Sequence, residues 1–273
     1  MSTARCFVTS DVHLGAIPPS GAGAFHAWLR WAAQRSEVLV INGDLFDFWF
    51  EYGSVIPRGY ARTLGLLAEL VDQGLTIHLL GGNHDWWGGS MLTEEIGVVF
   101  HRDPVILDVG GRRCLFAHGD GLGQGDLGYR MLRWTLRSPV TRSLFRWLHP
   151  DIGAAVARRV SRTEIRQNAP SLNAGYGEGV AGDRTPPAPS SRGPQLRRWA
   201  RDQLLADATL HDVFLGHTHD PVRQEVAPGR FYINSGDWLH HYSFVDLPGN
   251  GMPPELFHWS GSAPPEPLNA RAT

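Results

Sequence analysis

The chain has 273 residues, of which 42% are hydrophobic, and a formal net charge of −2. This apolar content is sufficient for a large core and excludes an intrinsically disordered chain, while so small a charge excludes nucleic-acid binding through overall composition. All 25 basic residues are Arg. The N-terminal apolar run is too short for a signal peptide, and no 18-residue apolar run follows it. We therefore expect a soluble cytoplasmic protein.

The first hundred residues alternate between strand-like and helix-like segments. We expect strands at Cys6–Thr9, Val38–Ile41 and Thr76–Leu80, with helices at about Ala22–Arg35 and Tyr60–Gln73 between them. Cys6, and Cys114 further along the chain, lie inside apolar runs. Two such cysteines do not form a disulfide framework, so buried free thiols are expected.

Two hairpins are predicted in the second part of the chain. The first joins Val105–Val109 to Arg112–Ala117 through Gly110–Gly111, and the second lies around Pro228–Gly229. Further strands are expected at Asp212–Leu215 and Tyr242–Asp246. The alternation of strands and helices predicts an α/β fold.

Residues 122–205 differ from the rest of the chain, because the strand pattern stops there and Arg outnumbers Asp and Glu together. We interpret this segment as an Arg-rich helical cap inserted into a core formed by residues 1–121 and 206–260. Arg130, Arg133 and Arg137 recur at helical spacing with Leu and Trp between them, and Arg142 and Arg146 continue the series. This pattern is compatible either with contact to a membrane surface or with a solvated helix face. The tail, residues 261–273, is expected to be loop-like.

Five short polar motifs follow predicted strands, at the strand ends where α/β folds place their ligands. They are Asp11-x-His13, Gly43-Asp44-x-x-Asp47, Gly82-Asn83-His84-Asp85, His118-Gly119-Asp120 and Gly216-His217-Thr218-His219.

Oxygen and imidazole ligands without thiolates suit Mn, Fe or Zn rather than a soft metal. Two divalent ions about 3.5–4 Å apart need a bridging carboxylate, for which Asp44 is the natural candidate. The motifs therefore indicate a two-metal site that hydrolyses a phosphorus–oxygen bond.

This ordered set of motifs resembles that of the calcineurin-like metallophosphoesterases. The resemblance implies a four-layer α/β/β/α sandwich and two divalent metal ions, with Mn favoured. It implies a catalytic His84 beside the phosphoryl group, with Asp85 orienting it, and Asp47 and Asp120 holding ligand rings. The implied ligands of one ion are Asp11, His13, Asp44 and His219, and those of the other are Asp44, Asn83, His118 and His217.

The sequence around the motifs is similar to that of the UDP-2,3-diacylglucosamine diphosphatase family, which releases UMP and lipid X in lipid A biosynthesis. The similar stretches are SDVHLG, GDLFDFWFEY, HGDGLGQGDLGYR, GHTH and YINSGDW. The resemblance implies a nucleotide-sugar lipid as substrate, and possible contact with the cytoplasmic face of the inner membrane. The substrate-binding residues that it implies are Asn83, Asp126, Tyr129, Arg158 and Ser161.

The chain departs from the best-known branch of that family at two places. His84 stands where that branch has Arg, and Gln124-Gly125-Asp126 stands where it has Thr-Asp-Asp. Two other functions therefore stay open: a metallophosphoesterase acting on a soluble nucleotide or another phosphate ester, and a binding scaffold of the same fold. A nuclease is disfavoured by the weak overall charge. Neither a nucleic-acid partner nor a protein partner is indicated.

Overall fold

A computed structural model of the chain describes residues 4–123, 127–153, 155, 190–261 and 265–268, without the side chains of 127–130 and 132. Within these ranges, none of the helices is both long and apolar enough to cross a membrane.

The first sheet has seven strands, four from the N-terminal part of the chain and three from its C-terminal part. Four of them are parallel, β1 to β4, in the order β1-β2-β3-β4, and β10, β11 and β12 extend the β1 edge with antiparallel pairing. The strands are β1 (Cys6–Thr9), β2 (Val38–Ile41), β3 (Thr76–Leu80), β4 (Val99–His101), β10 (Ser243–Leu247), β11 (Glu255–His258) and β12 (Glu266–Pro267).

The second sheet has five strands in the order β5-β6-β7-β9-β8. Both predicted hairpins are confirmed, because β5 pairs with β6 and β8 with β9 in antiparallel fashion. The strands are β5 (Val105–Val109), β6 (Arg112–Phe116), β7 (Asp212–Leu215), β8 (Val222–Ala227) and β9 (Arg230–Asn234).

The central strands β1 and β10 of the first sheet are buried on both faces, as β1 illustrates. Successive side chains of a strand point to opposite faces. Phe7 therefore joins the core that packs the helices α1 (Pro19–Ala33) and α2 (Ala61–Asp72) on the first sheet, while Cys6 and Val8 join the core between the two sheets. Cys6 and Cys114 are buried free thiols, as expected.

The outer face of the second sheet is covered by helix α5 (Gly193–Ala206), whose Leu196, Ala200 and Leu204 are buried against strands of that sheet. The layers are therefore helix, sheet, sheet, helix, which confirms the predicted α/β/β/α architecture. Residue 205, the expected end of the cap, lies near the end of α5, and α5 packs on the core. The division into core and cap stays a prediction.

Two helices of the expected cap are described, α3 (Leu127–Arg137) and α4 (Pro139–Trp147). Ser138 caps α4 by accepting a hydrogen bond from the Thr141 backbone N–H at 3.1 Å, and Pro139 occupies the first turn, where a missing N–H costs nothing.

Three elements were not expected from the sequence. A π-helical turn (Met91–Glu95) and the short strand β4 lie between β3 and β5, and β11 follows β10. The tail that was expected to be loop-like contains one short strand, because the two residues of β12 pair with β11. Strands of two or three residues carry too little periodicity to stand out in a sequence.

Candidate metal centre

The five polar motifs meet at one edge of the two sheets. Each follows a strand: β1, β2 and β3 in the first sheet, and β6 and β7 in the second. Within each sheet these strands are parallel, so their carboxyl ends lie side by side. The two sets of strand ends meet where His118, after β6, contacts the Asn42 carbonyl, after β2. The structure thus brings together the seven residues that the sequence predicted as metal ligands: Asp11, His13, Asp44, Asn83, His118, His217 and His219.

Their backbone is held in an unusual conformation. Among the described residues, seven non-glycine residues have a positive φ, and five of these belong to the predicted ligand set, with φ between 52° and 67°. Such a left-handed backbone is uncommon outside glycine and clusters at functional sites. The five residues are Asp11, His13, Asp44, His217 and His219.

Two glycines allow the loops to approach one another closely. A side chain at Gly43 would overlap the His118 ring, and one at Gly82 would overlap the Asp44 carboxylate. Gly43 also has a φ of +91°, which few other residues adopt. These positions accept only a residue without Cβ, which explains the glycines beside the ligands.

Possible ligand atoms form two main groups, each with all of its atoms within 4.8 Å of one another. The first group is Asp11, His13 and His219, and the second is Asp44, His118 and His217. Asn83 adds its Oδ1 to the second group, at 2.9 Å from His217 Nδ1 and 3.2 Å from His118 Nε2.

Asp44 lies between the two groups. Its Oδ1 accepts a hydrogen bond from the His84 backbone N–H at 2.9 Å. Its Oδ2 lies 3.1 Å from His118 Nε2 in the second group and 3.8 Å from His13 Nε2 in the first. One carboxylate thus faces both groups, as a bridging ligand must.

The donor set fits a pair of divalent metal ions. In the first group, His13 Nε2 and His219 Nε2 face each other at 3.2 Å, and His219 Nε2 lies 3.3 Å from Asp11 Oδ1. The atoms of each group lie within 4.8 Å of one another and are nitrogens and oxygens, the ligands of Mn, Fe and Zn. Asp11 and Asp44 are essentially buried, and buried charges are normally paired or coordinate metals.

Charges within the centre strongly perturb its titration. Burial alone would raise the pKa of Asp44, but the His118 and His84 rings outweigh it and hold that pKa well below its ordinary value. Burial opposes protonation of His118, yet the adjacent Asp44 carboxylate raises the pKa of His118 to about 10. Burial and the nearby His118 ring lower the pKa of His217 to about 4.

His84 points its Nε2 toward the centre, 4.0 Å from Asp44 Oδ2. Its Nδ1 donates a hydrogen bond to the Asp47 carbonyl at 2.8 Å, which fixes the ring. Burial acts to lower the pKa of His84, but Asp44 and Asp47 outweigh it and raise that pKa. His84 also forms a third group within 4.8 Å, with His13 and Asp44.

The predicted orienting role of Asp85 was wrong. Its carboxylate is buried below the loop and accepts hydrogen bonds from the backbone N–H groups of Leu45 at 2.7 Å and Gly82 at 2.8 Å, while the ring of His84 is held by Asp47. Burial and the neighbouring Asp44 raise the pKa of Asp85 to about 7. Asp85 therefore joins the loop that carries Asp44 to the loop that carries Asn83.

The expectation that Asp120 holds a ligand ring was also wrong. Its carboxylate binds two arginines of α3, Arg133 at 3.0 Å and Arg137 at 2.8 Å. Arg137 also donates to the Gly82 carbonyl at 3.3 Å. These contacts hold α3 against the loops that carry His118 and Asn83. The Asp47 carboxylate lies 3.7 Å from His13 Nδ1, beside a ligand ring as predicted but beyond hydrogen-bond distance.

Ligand rings are held by two residues to which the sequence analysis gave no role. The Asn42 carbonyl accepts a hydrogen bond from His118 Nδ1 at 3.0 Å. Asp237 Oδ2 lies 3.3 Å from His219 Nδ1. Asp237 lies in the stretch YINSGDW, three residues after the end of β9, so its position near a strand end was the available signal. A backbone carbonyl such as that of Asn42 leaves no signal in the sequence.

Four predicted substrate-binding residues lie wholly or partly outside the described residues. Asp126, Arg158 and Ser161 lie outside the described residues, as does the side chain of Tyr129, whose backbone belongs to α3. Asn83 is described and lies in the metal-facing cluster.

Comparison with known families gives a decisive match. The family model of the calcineurin-like phosphoesterases matches residues 4–221, most of the chain and all of its candidate ligands. The chain belongs to this family. Membership establishes a metal-dependent hydrolase.

Curated relatives match over nearly their whole length. A UDP-2,3-diacylglucosamine hydrolase from Porphyromonas gingivalis is 29% identical, over 91% of this chain and 95% of the relative. Another from Ralstonia nicotianae is 31% identical, over 86% and 84%. Among solved structures, Yfce, a phosphoesterase from E. coli, is 16% identical over 89% of this chain and 87% of that one, with a TM-score of 0.40.

Proposed function

We propose that this phosphoesterase cleaves the pyrophosphate of UDP-2,3-diacylglucosamine with two divalent metal ions, giving UMP and 2,3-diacylglucosamine 1-phosphate (lipid X). The observation that carries the proposal is a pair of helices with exposed apolar side chains, fastened directly to the rim of a centre suited to phosphate chemistry. Relatives named UDP-2,3-diacylglucosamine hydrolase support the same substrate.

The first ion would be held by Asp11, His13, Asp44 and His219, and the second by Asp44, Asn83, His118 and His217. When bound, such ions polarise phosphoryl oxygens and lower the pKa of water. Mn is the proposed physiological metal, with Fe and Zn as the other ions that this donor set accepts.

His84 would act on the reacting phosphate rather than on a metal. Since its Nδ1 donates to the Asp47 carbonyl, its Nε2 is the atom that faces the centre. The raised pKa favours a proton on that ring, so Nε2 can donate to a phosphoryl or leaving oxygen. Asp85 contributes indirectly, by keeping the Asp44 loop against the Asn83 loop.

The rim helices provide the lipid preference. The exposed fraction of the side chain is 75% for Trp134 on α3 and 89% for Trp147 on α4. Large exposed apolar side chains in a cluster are typical of binding surfaces. Phe145 of α4 packs on Phe50, which follows the Asp44 motif, with 4.6 Å between ring centroids. An acyl chain lying on this surface would therefore reach the rim of the metal centre.

Helix α4 carries charge that a phosphate-bearing lipid or a membrane surface requires. Arg146 is exposed, and Arg142 lies over the Trp86 ring with its guanidinium carbon 5.9 Å from the ring centroid. Mixed arginine and apolar side chains attract anionic head groups and contact acyl chains. We propose a cytoplasmic protein whose α3 and α4 touch the cytoplasmic face of the inner membrane. Asp126, Tyr129, Arg158 and Ser161 remain part of the proposed substrate site.

The test compares kcat/KM for the diacylated substrate, its deacylated counterpart and a small phosphodiester, with wild type and Trp134→Ser/Trp147→Ser. Burial of each methylene contributes about 0.8 kcal/mol, so we expect the wild type to favour the diacylated substrate at least tenfold. The double variant should lose most of this preference and keep its rate on the small ester. Met252→Ser, at an exposed apolar position away from the cap helices, is the matched control. Equal efficiency of the wild type on all three substrates would refute the lipid substrate and favour a soluble ester.

A further inference from the structure

One arginine of helix α3 connects two loops of the metal centre. Nη2 of Arg137 donates hydrogen bonds to Oδ2 of Asp120 at 2.8 Å and to the Gly82 carbonyl at 3.3 Å. Gly82 directly precedes the candidate ligand Asn83, and Asp120 is two residues beyond the candidate ligand His118. A single nitrogen atom of α3 therefore bridges the two loops.

These two loops belong to different sheets. Asn83 follows β3 in the first sheet, whereas His118 follows β6 in the second. Their side chains nevertheless have to act together, because Asn83 Oδ1 lies 3.2 Å from His118 Nε2 and both are candidate ligands of the second ion. Asp85 holds the Asn83 loop against the Asp44 loop, within the first sheet. The bridge made by Arg137 adds a link between the two sheets, beside this pair of ligands.

The surroundings of Arg137 hold its guanidinium in place. The guanidinium carbon lies 4.8 Å from the centroid of the Trp86 ring, and only 13% of the side chain is exposed. Trp86 belongs to the same loop as Asn83. The Asp120 carboxylate is 4% exposed and needs cationic partners, of which Arg133 is a second, at 3.0 Å. Arg137 is therefore far more constrained than a solvated arginine on a helix surface.

We propose that Arg137 is a positioning residue for the second metal ion, because its bridge keeps Asn83 and His118 close enough to bind one ion. The inference rests on the proposed function only in taking these two residues as ligands of that ion. Ligands that are already held in place do not have to be ordered when the ion arrives, so the affinity for the ion is higher. Helix α3 is thereby part of the metal centre as well as of the apolar surface that carries Trp134.

The charge of Arg137 acts in the opposite direction. A guanidinium repels divalent ions, so a substitution that removes the charge would strengthen metal binding through electrostatics alone and hide the loss of the bridge. Arg137→Lys keeps the charge. Its ammonium group ends one bond closer to the backbone and lacks the planar fork, so it cannot hold both acceptors in the same geometry. This substitution therefore separates position from charge.

Calorimetric titration of metal-free protein with Mn²⁺ alone provides the test. In Arg137→Lys we expect one of the two binding steps to weaken about three- to tenfold, the usual effect of losing one hydrogen bond, while the other stays within about twofold. The weakened step should be the one that Asn83→Ala weakens or removes. It should not be the step that Asp237→Asn weakens, since Asp237 lies against His219, a candidate ligand of the first ion.

Two matched variants serve as controls. Arg133→Lys makes the same substitution on the same helix and at the same carboxylate. Among the described residues, however, Arg133 pairs with Asp120 and has no hydrogen bond or ion pair with the Asn83 loop. Its effect on the second ion should therefore stay within about twofold. Arg198→Lys, at an exposed position of α5, should leave both steps unchanged.

Three results would overturn the inference: unchanged or tighter binding in Arg137→Lys, equal weakening of both steps, or an equal effect of Arg133→Lys. The last would make neutralisation of Asp120, rather than the bridge, the source of the effect. A wild type with a single Mn²⁺ step would refute the two-metal centre and this inference with it. No lipid enters these titrations. A wild type that binds two ions but releases no UMP would therefore refute the proposed substrate and leave this inference standing.

Discussion

Replacing Asp237 by Asn should weaken the first metal site selectively. The carboxylate is fully buried, and its Oδ2 lies 3.3 Å from Nδ1 of the candidate ligand His219. Its Oδ1 accepts hydrogen bonds from the backbone N–H groups of His240 and His241, both at 2.9 Å. Asp237→Asn keeps the shape of the side chain but removes the negative charge that orients His219 and strengthens it as a ligand.

The size of the effect follows from the kind of contact. Loss of an outer partner of a ligating histidine typically costs about 10–100-fold in metal affinity, or roughly 1.4–2.8 kcal/mol. Burial would raise the pKa of Asp237, but His219 and His241 outweigh it and hold that pKa far below its ordinary value, so the full charge is present at neutral pH. The loss should therefore lie near the upper end of this range.

Calorimetric titration of metal-free protein with Mn²⁺ measures both sites. We expect one of the two binding steps to weaken in Asp237→Asn while the other stays within about twofold, since Asp237 lies against His219, a candidate ligand of the first ion. Asp202→Asn, the same substitution at an exposed position of α5, is the control. Wild-type affinity at both sites in Asp237→Asn would refute this reasoning, as would equal weakening of both.

Three further predictions concern the centre itself. Asp44→Ala should lower occupancy of both metal sites, whereas Asp11→Ala should mainly affect one, as elemental analysis after dialysis would show; equal losses would argue against a bridging Asp44. His84→Ala should lower kcat by about 10²–10⁴ while keeping both metals, and loss of a metal instead would make His84 a ligand. Because the pKa of metal-free His118 is about 10, metal binding at pH 7 must displace its proton. Affinity should therefore fall as pH is lowered, and calorimetry in buffers of different ionisation enthalpy should detect proton release; pH-independent binding would contradict this.

The α/β alternation and the ligand edge could be predicted from the residues, because both depend on local patterns, whereas the four-layer sandwich was implied by the family resemblance. Strands such as Val38–Ile41 and Thr76–Leu80 have clear apolar runs, and each polar motif follows a strand. Parallel pairing then brings those motifs together without further information.

What the sequence did not reveal depends on contacts between distant parts of the chain. Asp120 follows a ligand motif and so suggested a ring-holding role, but two arginines of α3 occupy its carboxylate. Asp237 is separated from His219 by a hairpin and has no local pattern that marks it as its partner. Such pairings follow from the packing of one loop on another, which spacing along the chain does not encode.

The most direct test of the proposed function is hydrolysis of UDP-2,3-diacylglucosamine by the Mn-loaded enzyme in ¹⁸O-labelled water, with the products identified by mass. We predict UMP carrying one ¹⁸O atom, an unlabelled 2,3-diacylglucosamine 1-phosphate, and no turnover after exhaustive chelation. Intact substrate, or full turnover by protein shown to be metal-free, would contradict the proposed function. Label on the lipid phosphate would show that the other phosphorus is attacked.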